Sequence, residues 1–240
     1  MPGKAKGKST STPSSFYKNI GNKKGYMQRV RERNYPDIIS MKKTEKLSGE
    51  ITIVNNSQLH IEGLIGNYMK TRDEKVKTDL TTNYIKGCNI DGFINHCINN
   101  YTCKSGECNT HVRMTVKKEL EDVFADIIYG NCIVDIKSYK TFTATKIIEA
   151  FVQLLLYSQI YKENNITTDN PKIDFVAIFV PTHNEIHYIK IDDSNIGGIT
   201  RMYNDFMNKA HVVVYSELPP TEMIMPIKVE DKKTQCCIIL

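Results

Sequence analysis

No stretch of this 240-residue chain is apolar for long enough to span a bilayer, and its N-terminus lacks the apolar core of a secretory signal. The chain is therefore expected to be intracellular and not secreted. Seven cysteines without such a signal point to thiols in a reducing compartment and away from a disulfide framework. Regular Cys-x2-Cys pairs are also missing. Cys88, His96, Cys97, Cys103, Cys108 and His111 fall within 24 residues, and their spacing favours free thiols over a structural Zn²⁺. No internal repeat is present. With 40% apolar and 25% charged residues, the chain suits one enzyme domain with tails.

Charge is unevenly distributed. Residues 1–46 carry 12 Lys and Arg against three acids, a net of +9, and the remainder carries 20 against 24, a net of −4. The first 15 residues are rich in Lys, Gly, Ser, Thr and Pro, a composition that cannot bury enough apolar surface to order itself. Residues 1–46 accordingly read as a basic, largely disordered tail, 47–218 as the domain, and 219–240 as a C-terminal tail. A basic tail can bind nucleic acid or an anionic membrane, or simply aid solubility.

The most informative stretch runs from Phe124 to Lys137. Two apolar runs, Ala125–Tyr129 and Cys132–Ile136, flank Gly130-Asn131, a two-residue turn signal. Pairing across that turn sets Tyr129 opposite Cys132, Ile128 opposite Ile133, Ile127 opposite Val134 and Asp126 opposite Asp135. Carboxylates directly opposite each other have Cβ atoms roughly 5 Å apart and repel. A site that captures a divalent cation gains from that arrangement, because the acids form an oxygen pair on a rigid platform. Lys137, two residues past Asp135, shares its face. On this pattern Ala125, Ile127, Tyr129, Cys132, Val134 and Ile136 form an apolar face, and the acids and Lys137 the other.

A helix is expected over Thr143 to Lys162, which contains no Gly or Pro. Glu149, Gln153 and Tyr157 fall at i, i+4 and i+8 and form one stripe. They are either boundary residues or an amide and a phenol presented to a phosphate or to the carboxylates.

The constellation Asp126, Asp135-Ile136-Lys137 and Gln153-x3-Tyr157 resembles the PD-(D/E)xK nuclease superfamily, especially its RecB-like and Cas4-like branch. The resemblance spans about Ser57 to Asp192, with Asp in place of Glu in the acid-x-Lys motif, as the family tolerates. It implies an α/β, restriction-endonuclease-like core of helix, three-stranded meander, helix and strand around a mixed central sheet. It further implies metal-dependent hydrolysis of nucleic acid, DNA in preference to RNA, with Asp126, Asp135 and a helix Glu holding Mg²⁺, or Mn²⁺ as a substitute. Lys137 would orient the attacking water or stabilise developing charge, unless it is a cation that merely offsets the two acids. Glu62 is the candidate helix acid, with Glu74 and His60 as alternatives. Some Cas4-like relatives hold an iron–sulfur cluster, to which Cys88, Cys97, Cys103 and Cys108 would correspond, but their cysteines end in a group downstream of the nuclease core, and this chain lacks that group.

The remaining elements follow from pattern. Helices are expected at Gln58–Lys70 and Ile199–Lys209, and strands at Val112–Lys117, Ile173–Val180, Glu185–Ile191 and His211–Tyr215. Arg72–Asn109 reads as polar and irregular, with a short helix near Gly92–Asn99. The final residues Cys237-Ile238-Ile239-Leu240 fit a C-a-a-X prenylation pattern, with Cys236 and Lys232-Lys233 beside it, and Cys237 as the lipidation candidate. Such an anchor would bring the chain to a membrane surface. Two other functions are compatible with these features: a nuclease-fold protein that binds nucleic acid without cleaving it, and a lipid-anchored adaptor or effector.

Overall fold

In chain order the elements are helix α1 (Pro36–Ser40), strands β1 (Lys43–Lys46) and β2 (Thr52–Ile53), helices α2 (Gln58–Thr71) and α3 (Glu74–Asp79), a π-helical turn (Leu80–Tyr84), β3 (Ile85–Lys86), α4 (Ile90–Asn100), β4 (Cys108–Met114), β5 (Val123–Tyr129), β6 (Cys132–Ile136), α5 (Ala144–Asn164), β7 (Phe175–Val180), β8 (Glu185–Lys190) and α6 (Ile196–Glu217). They belong to a computed structural model that describes Met27, Val30 and residues 36–102, 108–116, 122–141, 143–164 and 172–217. Cys103, Cys237 and most of the basic tail lie outside these residues.

Six strands form one mixed sheet in the order β1-β8-β7-β6-β5-β4. Strands β6 and β7 are parallel, and every other neighbouring pair is antiparallel. The fold is thus α/β with a mixed central sheet. The hairpin pairs as the sequence implies at Tyr129–Cys132, Ile128–Ile133 and Ile127–Val134, but the ladder ends there and the expected pair Asp126–Asp135 is not part of it. Gly130 alone in the turn takes a positive φ, 55°, the backbone freedom this two-residue connection requires.

Both faces of the sheet are covered. Phe151, Leu155, Ile199 and Phe206 of α5 and α6 pack with Ile133, Val176 and Ile178. Ile61, Ile65, Phe93 and Ile94 of α2 and α4 pack with Val134, Ile136 and Phe179 on the other side. The Phe93 and Phe179 rings stack with centroids 4.2 Å apart. Every residue of β6 is buried, so the expected half-solvated hairpin is instead the centre of the sheet. The parallel partner β7 and two helical layers remove its polar face from water.

Ala125 departs from the expected apolar face. Val123 and Ala125 join the core under α5, whereas Ile127 and Tyr129 join the core under α2 and α4. Cys108 and Met114 of β4 divide in the same way. The reversal falls where the ladder skips one position, between the pairs Thr110–Ile127 and Val112–Ala125. His111 and Asp126 occupy that position, and His111 has φ 52°. Strict alternation cannot survive such a kink.

Four other expectations change. Lys43–Lys46, placed with the basic tail, is an exposed edge strand paired with β8, and its charges guard the edge against further pairing. The first meander strand is Cys108–Met114, starting earlier than Val112. Residues 72–102 hold α3, the π turn and β3 in place of the expected irregular chain, together with α4, the short helix expected near Gly92–Asn99. The strand expected at His211–Tyr215 is helix, because α6 continues to Glu217; the β-branched run there follows its helical context over its own preference.

One buried side chain ties the loops at the far edge of the sheet. Asn184, fully buried with φ 51°, accepts from Asn89 N at 2.9 Å and donates to Gly87 O at 3.0 Å and Ser48 O at 3.2 Å. Its own carbonyl accepts from Leu47 N at 2.7 Å. Asn184→Ala should lower unfolding free energy by about 3 kcal/mol, since it strands several buried backbone groups. Asn184→Gly, better suited to the positive φ, should lose nearly as much in urea unfolding followed by circular dichroism. Wild-type stability in the glycine variant would refute the role of the amide.

Candidate active site at the end of the β5–β6 hairpin

Asp126 sits at the ladder break in β5, and its Oδ2 accepts the backbone N–H of Ile136 at 2.9 Å. A carboxylate thereby takes the place a backbone carbonyl would fill in an unbroken strand pair. Asp135, the penultimate residue of β6, is 4% exposed. Lys137 is 2% exposed and donates from Nζ to Asp135 Oδ1 at 2.6 Å. Its backbone N–H donates to Phe179 O at 2.9 Å, which carries the β6–β7 pairing one residue further.

The second carboxylate oxygen, Asp135 Oδ2, is buried with no hydrogen-bond partner. Asp126 and Asp135 approach closely enough to share a proton, but two ionised carboxylates offer no donor. Burial, reinforced by Asp126 against the pull of Lys137, pushes the Asp135 carboxyl up to about 8. Burial raises Asp126 as well. For Lys137 burial acts downward, but Asp135 and Asp126 more than offset it, and the ammonium stays charged.

Glu62 is brought to the same place from α2. It is half-buried, its carboxyl is raised by burial, and it feels Lys137, Asp135 and Asp126. The two alternatives are engaged elsewhere. Glu74 pairs with Lys77 at 3.3 Å and accepts from Tyr68 at 3.0 Å, while His60 bonds Ser57 Oγ at 2.7 Å and stacks on Tyr84.

Gln58, one turn before Glu62, locks helix to strand. Its Nε2 donates to Ile136 O at 2.6 Å and to Glu62 Oε1, and its Oε1 accepts from Ser138 N at 2.7 Å and from Ser138 Oγ. The amide thus grips the main chain on both sides of Lys137. On α5, Gln153 donates from Nε2 to Tyr157 Oη at 2.8 Å, and both side chains are buried. Burial, with added repulsion from Asp135 and Asp126, raises the Tyr157 phenol, so it stays neutral beside the acids. Of the predicted stripe, Tyr157 thus lies in the field of the carboxylate pair, with Gln153 bonded to it.

Sequence reasoning missed Gln58, Ser138 and Tyr139. Gln58 carried a signal, the i, i+4 spacing to Glu62, and Tyr139 continues the period-2 series Asp135, Lys137.

The donor set suits a hard divalent cation. Mg²⁺ is commonly held by one or two carboxylates, with water and substrate phosphate completing its shell. Asp126 and Asp135 meet that requirement, and the partnerless Oδ2 is the atom such an ion would satisfy. Among the described residues, no group of three or more His, Cys, Asp or Glu side chains is arranged to hold a metal ion. Glu62, bound to Gln58, thus stands beside the pair and completes no ready-made triad. Cys88, Cys97, Cys108 and Cys132 are buried and outside any disulfide, and burial pushes Cys88 up to about 12. Among the described residues no helix is long and apolar enough to cross a membrane.

Comparison with protein-family models, with curated proteins and with solved structures finds no match to this chain.

Proposed function

We propose that the chain is a metal-dependent nuclease with a restriction-endonuclease-like core, hydrolysing phosphodiester bonds in nucleic acid, DNA in preference to RNA. The observation that carries this reading is the close approach of the Asp126 and Asp135 side chains, with no hydrogen-bond donor to Asp135 Oδ2, beside a buried Lys137 ammonium. Buried Asp135 with half-buried Asp126 and Glu62, against one fixed cation, leave an excess of acids that a structural ion pair does not need. An anionic substrate cannot approach such a site without a compensating cation.

In this reading Asp126 and Asp135 hold Mg²⁺, with Glu62 the third carboxylate within reach. The bound ion supplies charge neutralisation at the phosphoryl oxygens and acidifies its water. Lys137, charged at all working pH values, is not the general base. It donates hydrogen bonds, orienting the attacking water or the phosphoryl oxygen and stabilising negative charge as it develops. Gln58 fixes the main chain around Lys137, so the ammonium direction is set before substrate arrives. Tyr157, held by Gln153, keeps a neutral phenol in the field of the two acids.

Labelled single- and double-stranded DNA and RNA incubated with Mg²⁺, Mn²⁺ or EDTA test the reading directly. Cleavage should require the metal and fall by about 10²-fold or more in Asp135→Ala and in Lys137→Ala. A wild-type chain that binds but never cleaves would replace hydrolysis with nucleic-acid binding alone.

The pH dependence has a defined sign. The folded-state pKa of Asp135, about 8, lies above its ordinary 3.8. The protonated carboxyl therefore favours the folded state at low pH, and that contribution is lost as pH rises through about 8. Mg²⁺ takes the place of the shared proton, so the thermal midpoint gained on adding Mg²⁺ should be larger near pH 9 than near pH 6. Asp135→Asn should abolish both the gain and its pH dependence. Equal gains at the two pH values would show that the ion binds elsewhere.

A further inference from the structure

Past the last hairpin pair, Ile127–Val134, side chains meet both backbone groups of Ile136. Asp126 Oδ2 accepts its N–H at 2.9 Å, and Gln58 Nε2 donates to its carbonyl at 2.6 Å. The same amide accepts through Oε1 from Ser138 N at 2.7 Å and from Ser138 Oγ, and Ser138 is buried. These partners set the direction of the amide, because a flipped Gln58 would turn its oxygen against Ile136 O and its NH₂ against the Ser138 N–H. One amide hydrogen goes to Ile136 O, and Glu62 Oε1, one turn along α2, takes the other.

Glu62 therefore meets the site with an oxygen already engaged. Its donor cannot follow it, since Gln58 is tied to the strand by its bonds to Ile136 and Ser138. Moving Glu62 onto a cation would break a charge-assisted hydrogen bond and strand the second amide hydrogen. Asp135 is in the opposite condition, buried with no hydrogen-bond donor to Oδ2. An ion beside the two aspartates gives Oδ2 a partner that it lacks, whereas recruiting Glu62 undoes a contact that the fold has built. Among the described residues no three His, Cys, Asp or Glu side chains are arranged to hold a metal ion, so Glu62 would have to leave Gln58 to complete such a set.

We propose that Gln58 is a positioning residue that withholds Glu62 from the metal, so that Asp126 and Asp135 alone hold the ion and Glu62 stays bound to the amide that grips the strand around Lys137. Two protein carboxylates leave most of an octahedral Mg²⁺ shell to water and substrate phosphate. The role rests on the reading of Asp126, Asp135 and Lys137 as a metal-dependent phosphodiester site, and it departs from the set of three carboxylates that the resemblance implies.

The test is Mn²⁺ binding to the full chain without nucleic acid, read from the loss of the paramagnetic resonance signal of the free ion. Asp135→Asn should abolish binding. Glu62→Gln removes a charge but no ligand, and should weaken binding by less than about fivefold, where loss of a ligand costs tenfold or more. Gln58→Glu keeps the acceptor for Ser138, removes both donors and releases Glu62, so Mn²⁺ should bind about tenfold more tightly. The exchange Gln58→Glu with Glu62→Gln restores an amide–carboxylate pair at the wild-type net charge, and should return the affinity to the wild-type value. A residue kept for packing alone would give no gain in either direction. A larger loss in Glu62→Gln, or a gain that persists in the exchanged pair, overturns the withholding. Glu62→Gln decides by itself if circular dichroism shows that the Gln58 variants do not fold. Wild type that binds no Mn²⁺, or Asp135→Asn that binds it normally, sinks the metal site and the hydrolytic reading with it. Binding that needs Asp135 and Glu62 equally leaves that reading standing and sinks the withholding alone.

Discussion

Buried Asp135 and Lys137 at the end of β6, with the half-buried Asp126 beside them on β5, are the constraint around which the rest of this structure is arranged. Like charges about 4 Å apart repel by about 4 kcal/mol at an effective dielectric of 20, before the loss of hydration is counted. Lys137 answers one charge, through Asp135 Oδ1. Asp126 is answered in part by the Ile136 N–H, and that contact uses the very position where the β4–β5 ladder is broken. The kink at His111 and Asp126, the change of face along β5, and the bond from the Ile136 N–H to the Asp126 carboxylate are one structural event.

The surrounding fold makes the constraint tolerable. A central strand with a parallel neighbour and a helical layer on each face has little freedom to relax, so the acids cannot swing out into water. Gln58 extends this rigidity to α2. Its four hydrogen bonds satisfy the whole amide and join Glu62, Ile136 and Ser138 in one unit. Movement of α2 against the sheet would therefore alter the main chain on either side of Lys137 together with Glu62. Helix and strand contribute acids to the site as a single body, which is the preorganisation that positioning catalysis requires.

Local chemistry was legible in the sequence where it was set by neighbours in the chain. The Gly130-Asn131 turn dictated the hairpin register, and the i, i+4 spacing placed Gln153 and Tyr157 on one stripe. Features set by distant residues were not legible. Alternation implied that Ala125 shares a face with Ile127, but the kink at Asp126 reverses it. The Val212-Val213-Val214 run suggested a strand, but α6 absorbs it. Lys43–Lys46 looked like tail because its side chains are charged, and its role lies in backbone pairing with β8. The choice of Glu62 over Glu74 needed three dimensions, since Tyr68, Lys77 and Asp91 draw Glu74 into a separate network.

The balance of charge distinguishes the proposed chemistry from a buried ion pair kept for stability. A structural pair is normally matched, one acid to one base, with remaining lone pairs satisfied, because every uncompensated buried charge costs several kcal/mol. Here one ammonium meets Asp135, Asp126 and the nearby Glu62, and Asp135 Oδ2 has no partner at all. A protein can close that deficit with a proton, and burial raises the Asp135 carboxyl in that direction. A proton, however, neutralises one charge and offers one hydrogen bond. A divalent cation neutralises two and keeps open coordination positions for water and phosphate. The same imbalance that makes the site a weak stabilising element makes it a good place to bring a metal and a phosphodiester together.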